Sequence, residues 1–146
     1  MNTRVLDSWS LLEWIVGRQP ACDIVGAWLA DAEEGNARLL MSAINAGEIY
    51  YSLRKNHSME LADYWREAAP TLPITVEVPG SLEVWAAAEL KARYPIAYPD
   101  AFAVALAMKH SCPLMTGDPE LRVVDKVDFD WIGRPEPRRV GGTGAD

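Results

Sequence analysis

Residues 99–110, PDAFAVALAMKH, constrain the fold more than any other stretch of this chain. Wound as a helix they are apolar nearly all round, and a helix without a wet face belongs inside a domain. The flanking sequence says what encloses it. Short apolar runs at 3–7 (TRVLD), 37–42 (ARLLMS), 72–78 (LPITVEV), 113–116 (PLMT) and 127–132 (VDFDWI) read as strands. Helical spacings fill the intervals at 10–17, 20–35, 44–56, 58–69 and 81–94, the last strongly amphipathic, and a short helix follows at 118–124. Gly17 is placed to stop the first helix, Pro20 and Gly35 bound the second, and Ser58 and Ser81 stand as caps.

Short strands alternating with helices imply an α/β fold, with a central parallel β-sheet flanked by helices on both faces. The length of 146 residues suits one domain, drawn at 1–133. Beyond Gly133 the segment RPEPRRVGGTGAD (134–146) has no apolar periodicity and is expected to be a disordered tail. No apolar run approaches the ~20 residues that span a bilayer. The start lacks the basic and apolar regions of a signal peptide, so a cytoplasmic protein with no membrane partner is expected. Cys22 and Cys112 fit no metal spacing and read as buried free thiols. His57 and His110 are isolated and read as surface residues rather than as ligands or bases.

In such sheets functional groups gather beyond the carboxyl ends of the strands. Four acids fall there. Asp7 ends the first strand, Asp118 follows PLMT by two residues, Asp100 lies in the first turn of the apolar helix, and Glu48 sits in the helix entered from ARLLMS. Each has an ordinary reading. Asp7 and Asp118 suit helix caps, Asp100 complements a helix dipole, and Glu48 is an unremarkable solvated Glu. Together they point further, because clustered carboxylates stay ionised only when hydrogen bonds or a cation compensate. A hard divalent ion, Mg2+ or Mn2+, matches oxygen ligands, orients a water and stabilises charge on a phosphodiester. The net charge of −7, from 21 acids and 14 bases, argues against holding nucleic acid by charge alone. Two such ions would bring it to about −3.

The stretches VLDSWSLLEW, MSAINAGEIYYSLRK and YPIAYPDAFAVALAMKHSCPLMTGDPEL, in that order, resemble the PIN-domain nucleases, and among them the VapC-like toxins of type II toxin–antitoxin systems. The resemblance runs to about Ile132. It implies a parallel α/β fold, an Mg2+- or Mn2+-dependent endoribonuclease, an RNA substrate, a cognate antitoxin and a homodimer. By matching residues, Asp7, Glu48, Asp100 and Asp118 correspond to the catalytic, metal-binding acids. Ser8, Asn45 and Thr116 correspond to supporting polar positions. Pro99 replaces the small residue common before the third acid, and as a proline at the first helical position it leaves the helix start intact.

Six tryptophans is many for this length, and most are expected in the core. Trp9, Trp14 and Trp28 alternatively edge a groove for an antitoxin segment. Arg54 and Lys55, with His57, Lys91 and Arg93, are either solvated helix ends or a rim contacting RNA phosphates. Two rivals stand beside the nuclease. A phosphotransfer protein using Asp7 would need a second Asp at position 9, which is Trp, or a Lys after a late strand, which LMTGD lacks. A catalytically silent PIN-like protein-binding module would use the acids only to trap a basic partner.

Overall fold

A computed structural model of the chain describes residues 2–135. The expected disordered tail falls, from residue 136 on, outside the described residues. The order is β1 (Asn2–Leu6), α1 (Ser8–Val16), α2 (Ala21–Glu33), β2 (Ala37–Ser42), α3 (Ala43–Asn56), α4 (Met59–Ala68), β3 (Thr75–Glu77), α5 (Ser81–Arg93), α6 (Tyr98–His110), β4 (Leu114–Thr116) and β5 (Phe129–Trp131). A 3-10 turn spans Pro119–Val123 between the last two strands. All pairings are parallel, in the order β3-β2-β1-β4-β5. The chain moves from β1 toward β3 on one side and places β4 and β5 on the other. The carboxyl ends of β1 and β4 therefore flank the switch point, where such sheets open a crevice.

Strand alternation divides the interior into two cores. Val5, Leu40 and Leu114 face α5 and α6 with Ala87, Leu90, Val104 and Leu106. Their chain neighbours Leu6, Leu39, Met41 and Met115 face α1 to α4 with Leu11, Val25, Ile49 and Trp65. Helix α6 is buried from Asp100 to Ala107, as its all-round apolar pattern predicts. Gly17 ends α1 at φ 81°, a left-handed conformation that a side chain would strain.

Several expectations need correction. β3 is three residues, not seven, because Pro73 has no N–H to give to a ladder and the partner strand β2 ends at Ser42, opposite Glu77, where α3 begins. Gly80 rather than Ser81 caps α5, and its N–H donates to Glu83 Oε1 at 2.8 Å. Pro99 is the second residue of α6, not the first. Helix α5 is not cleanly amphipathic, since Leu82 and Trp85 are 79% and 72% exposed. Among the tryptophans Trp65 is fully in the core, and its Nε1 donates to Ala46 O at 2.9 Å. Both cysteines are free but only half-buried. His110 is not an isolated surface residue, for its Nε2 lies 2.6 Å from Glu77 Oε2. No helix among the described residues is long and apolar enough to cross a membrane.

Packing of α6 against the sheet through small residues sets a stability expectation. Ala103 is fully buried, so Ala103→Leu should destabilise by about 1–3 kcal/mol despite added apolar surface. Trp85→Ser, at an exposed site, should stay within about 0.5 kcal/mol. Urea melts of both variants check the pair, and the reverse ranking would contradict this packing.

Candidate functional site

Asp7 leaves β1 and turns the chain into α1. Its Oδ1 accepts from the Ser10 N–H and the Ser10 hydroxyl, each at 2.9 Å, which makes it the helix cap. Its Oδ2 accepts from the Thr116 hydroxyl across the β1–β4 boundary. Thr116 Oγ1 in turn accepts the Asp118 N–H at 3.0 Å, so the Thr116 proton is left for Asp7. Asp118 caps the 3-10 turn by accepting the Glu120 N–H at 3.0 Å. One threonine thus ties the first acid to the turn that carries the last.

Asp100 enters from α6, and its place is fixed through Asn45. The Asn45 amide donates to Pro99 O at 3.0 Å and to Ser8 Oγ at 3.2 Å, while Ser8 Oγ donates to Asn45 O at 3.2 Å. Helix α3 thereby pins the starts of α1 and α6, which bear Asp7 and Asp100. Asn45 Oδ1 is buried without a hydrogen-bond partner among the described residues. Oxygens of Asp100, Asp118 and Glu120 lie within 4.8 Å of one another, grading from buried through half-buried to exposed.

The electrostatics follow from this crowding. Burial pushes the Asp100 carboxyl up to about 8, helped by the charges of Asp118, Asp7, Glu48 and Glu120. Burial also raises Asp7, to about 6, against the lowering effect of hydrogen bonds from Thr116 and Ser10. The Tyr51 hydroxyl is raised by burial and by the charges of Glu48 and Asp100. Carboxylates alone make up this ligand set, they are under-compensated, and an orphaned amide oxygen lies beside Ser8 and Pro99. That donor chemistry fits a hard divalent cation.

A family model for the PIN domain matches residues 4–127. The chain belongs to the PIN domain family. Solved structures share the fold of this PIN domain at low identity. VapC20 of Mycobacterium tuberculosis, described as a sarcin–ricin loop cleaving toxin, superposes with a TM-score of 0.71 at 13% identity, over 86% of this chain and 98% of its own. DNA-bound VapBC from Salmonella typhimurium gives 0.69 at 15%, over 89% and 98%. A toxin–antitoxin complex from Klebsiella pneumoniae gives 0.63 at 20%, over 85% and 94%. No curated protein sequence matches significantly.

Asp7, Asp100 and Asp118 are thus brought together in this PIN domain, with Ser8, Asn45 and Thr116 as their supports. Glu48, half-buried in α3, stands outside the tight oxygen group but close enough for its charge to act on Asp100 and Tyr51. Arg54 and Lys55 are exposed in the last turn of α3, about 9 Å of helical rise beyond Glu48. The three tryptophans considered for a groove have separate surroundings. Trp9 packs on Gly117, Trp14 lies by Gly26, and Trp28 carries the Arg4 guanidinium 4.7 Å from its ring centroid. Two residues of the site escaped the sequence reading. Glu120, one residue past Pro119, has the ordinary use of a first-turn acid to hide it, whereas Tyr51 has a signal, since it follows Glu48 by three on one helix face.

Both aspartates have folded values above the ordinary 3.8, so the stability they lend is full below about pH 4 and is lost as pH rises through their folded values. The metal-free protein should therefore melt higher at pH 6 than at pH 8. Asp100→Asn should melt above wild type at pH 8 and show a shallower slope. Parallel pH profiles for the two proteins would contradict the cluster's electrostatics.

Proposed function

We propose that this PIN-domain protein is a divalent-metal-dependent endoribonuclease, the toxin of a toxin–antitoxin pair. The observation that carries it is the convergence of acids from four elements on the crevice between β1 and β4. Asp7, Glu48, Asp100 and Asp118 are the residues we assign to metal binding, with Glu120 added at the solvent side. The ion is Mg2+ or Mn2+. When bound it neutralises the acids, polarises a water and stabilises charge on the phosphoryl oxygens.

The chain's own residues do the positioning. Ser10 and Thr116 hold Asp7 in one rotamer, so its remaining lone pairs have a fixed direction. Asn45 keeps Asp100 in register with Asp7 by gripping Pro99 and Ser8. Asp118 and Glu120, on the open side, meet the solvent from which water and an RNA phosphate arrive. The apolar flanks Ile49, Leu6 and Met115 keep the inner side dry, which strengthens each interaction. The antitoxin and a homodimer are inferred from family and from neighbours solved as toxin–antitoxin complexes. We place its site of action in the cytoplasm, with its RNA substrate.

Incubating the purified chain with total tRNA and rRNA in Mg2+, Mn2+ or EDTA tests this reading. Cleavage should require the ion. Asp7→Asn and Asp100→Asn should abolish it, and Thr116→Val should cost about 10–100-fold. Cleavage in EDTA would end the metal mechanism. A folded chain that cuts no RNA with either ion would favour the silent binding module instead.

A further inference from the structure

A cavity of about 500 Å3 adjoins the acidic centre, lined by α1 and by the segments that follow β4 and β5. It shares a wall with that centre, since Trp9 follows Asp7 by two residues and Gly117 and Pro119 flank Asp118. Two indoles, Trp9 and Trp131, and three guanidiniums, Arg18, Arg122 and Arg134, line it. Among its described lining residues Glu13 is the single acid, 3.5 Å from Arg18. In a chain of net charge −7 a basic and aromatic hollow beside a cluster of acids runs against the overall balance.

The hollow is built rather than incidental. A Cβ on Gly117 would lie 2.3 Å from Trp9 Cη2, 2.5 Å from Cζ3 and 2.7 Å from Gly133 Cα. Only glycine at 117 lets the Trp9 ring rest on the backbone where the ends of β4 and β5 meet. The ladder reaches that point because Ile132 N–H donates to Thr116 O at 2.9 Å. On the other wall the Arg122 guanidinium stacks over Trp131, 3.9 Å from the ring centroid, which holds its plane before any ligand arrives.

The geometry points to a nucleotide subsite: this hollow takes an unpaired nucleotide of single-stranded RNA next to the scissile phosphate, with the base against the indoles and the phosphate on the arginines. Aromatic faces accept any base, and arginine forks match phosphate oxygens. Single-stranded RNA is the form whose bases are free to leave the stack. An apolar peptide anchor fits less well, since it would take the charges of Arg18, Arg122 and Arg134 out of water without adding a countercharge. The choice of RNA rests on the nuclease reading, while the hollow's chemistry stands without it.

The test measures binding alone, with the full chain in EDTA and an eight-nucleotide 2′-O-methyl RNA that cannot be cut, carrying 2-aminopurine at its centre. Wild type should bind and quench the probe. Trp9→Ala should weaken binding about tenfold and relieve the quenching, whereas Trp9→Phe should keep both. The double variant Arg122→Gln, Arg134→Gln should weaken binding and lower the salt slope by about one per arginine, while Arg38→Gln on β2 should leave both unchanged. Wild-type affinity in the arginine pair, whose side chains are exposed and can be changed without disturbing the interior, would overturn the subsite. So would loosening of an antitoxin complex by Trp9→Ala with RNA affinity unmoved, since the occupant would then be protein. Binding through these residues by a chain that cuts no RNA would overturn the nuclease reading and leave the subsite standing.

Discussion

Asp7 and Asp100 are carboxylates withdrawn from water and set against further negative charge, and much of the architecture is arranged around that strain. Each held ionised alone would be costly, because burial removes the solvent that stabilises the charge. The protein offsets the cost unequally. Asp7 accepts from the Ser10 N–H and the Thr116 hydroxyl and shares the single Ser10 hydroxyl proton with Met115 O, and its carboxyl rises only to about 6. Asp100, under the charges of four acids, rises to about 8. Hydrogen bonds pull Asp7 back toward its charged form, while four neighbouring charges push Asp100 further from it.

The strand order makes this meeting possible. Parallel strands send all their carboxyl ends to one edge, and placing β4 beside β1 opens the sheet there. Thr116 then works across the opening, giving its proton to Asp7 and taking the Asp118 N–H. Asn45 does the same for the helices, linking α1, α3 and α6 through Ser8 and Pro99. The same opening that gathers the acids leaves the hollow by Trp9 and Trp131, so the two features share walls.

Much of this was legible in the sequence, for local reasons. Alternation puts Val5 and Leu6 into opposite cores, and the all-round apolar pattern at 99–110 buries α6. Caps at Asp7, Ser58 and Asp118 were readable because a short acceptor before a helix has one main use. The failures were mostly non-local. Nothing near Trp9 says that Gly117 and Gly133 will meet beneath it, because that contact depends on the β4–β5 pairing. Glu120 was hidden behind its own bland role in a first turn. The exposure of Trp85 was missed because residue type outweighed position, although Ala87 and Leu90 already mark the buried face of α5.

The central claim is that the acidic cluster exists to be compensated by a divalent cation. Metal ligation requires the carboxylate, so a ligand that is protonated when free must lose its proton on binding. With Asp100 near 8, Mn2+ binding at pH 7 should release about one proton. Calorimetric titration of the wild-type chain with Mn2+, in buffers of different ionisation enthalpy, reads that number directly. The account predicts saturable binding with about one proton released at pH 7, a release that fades above pH 9 and is lost in Asp100→Asn. Absence of saturable binding, or binding with no proton released at pH 7, would contradict it.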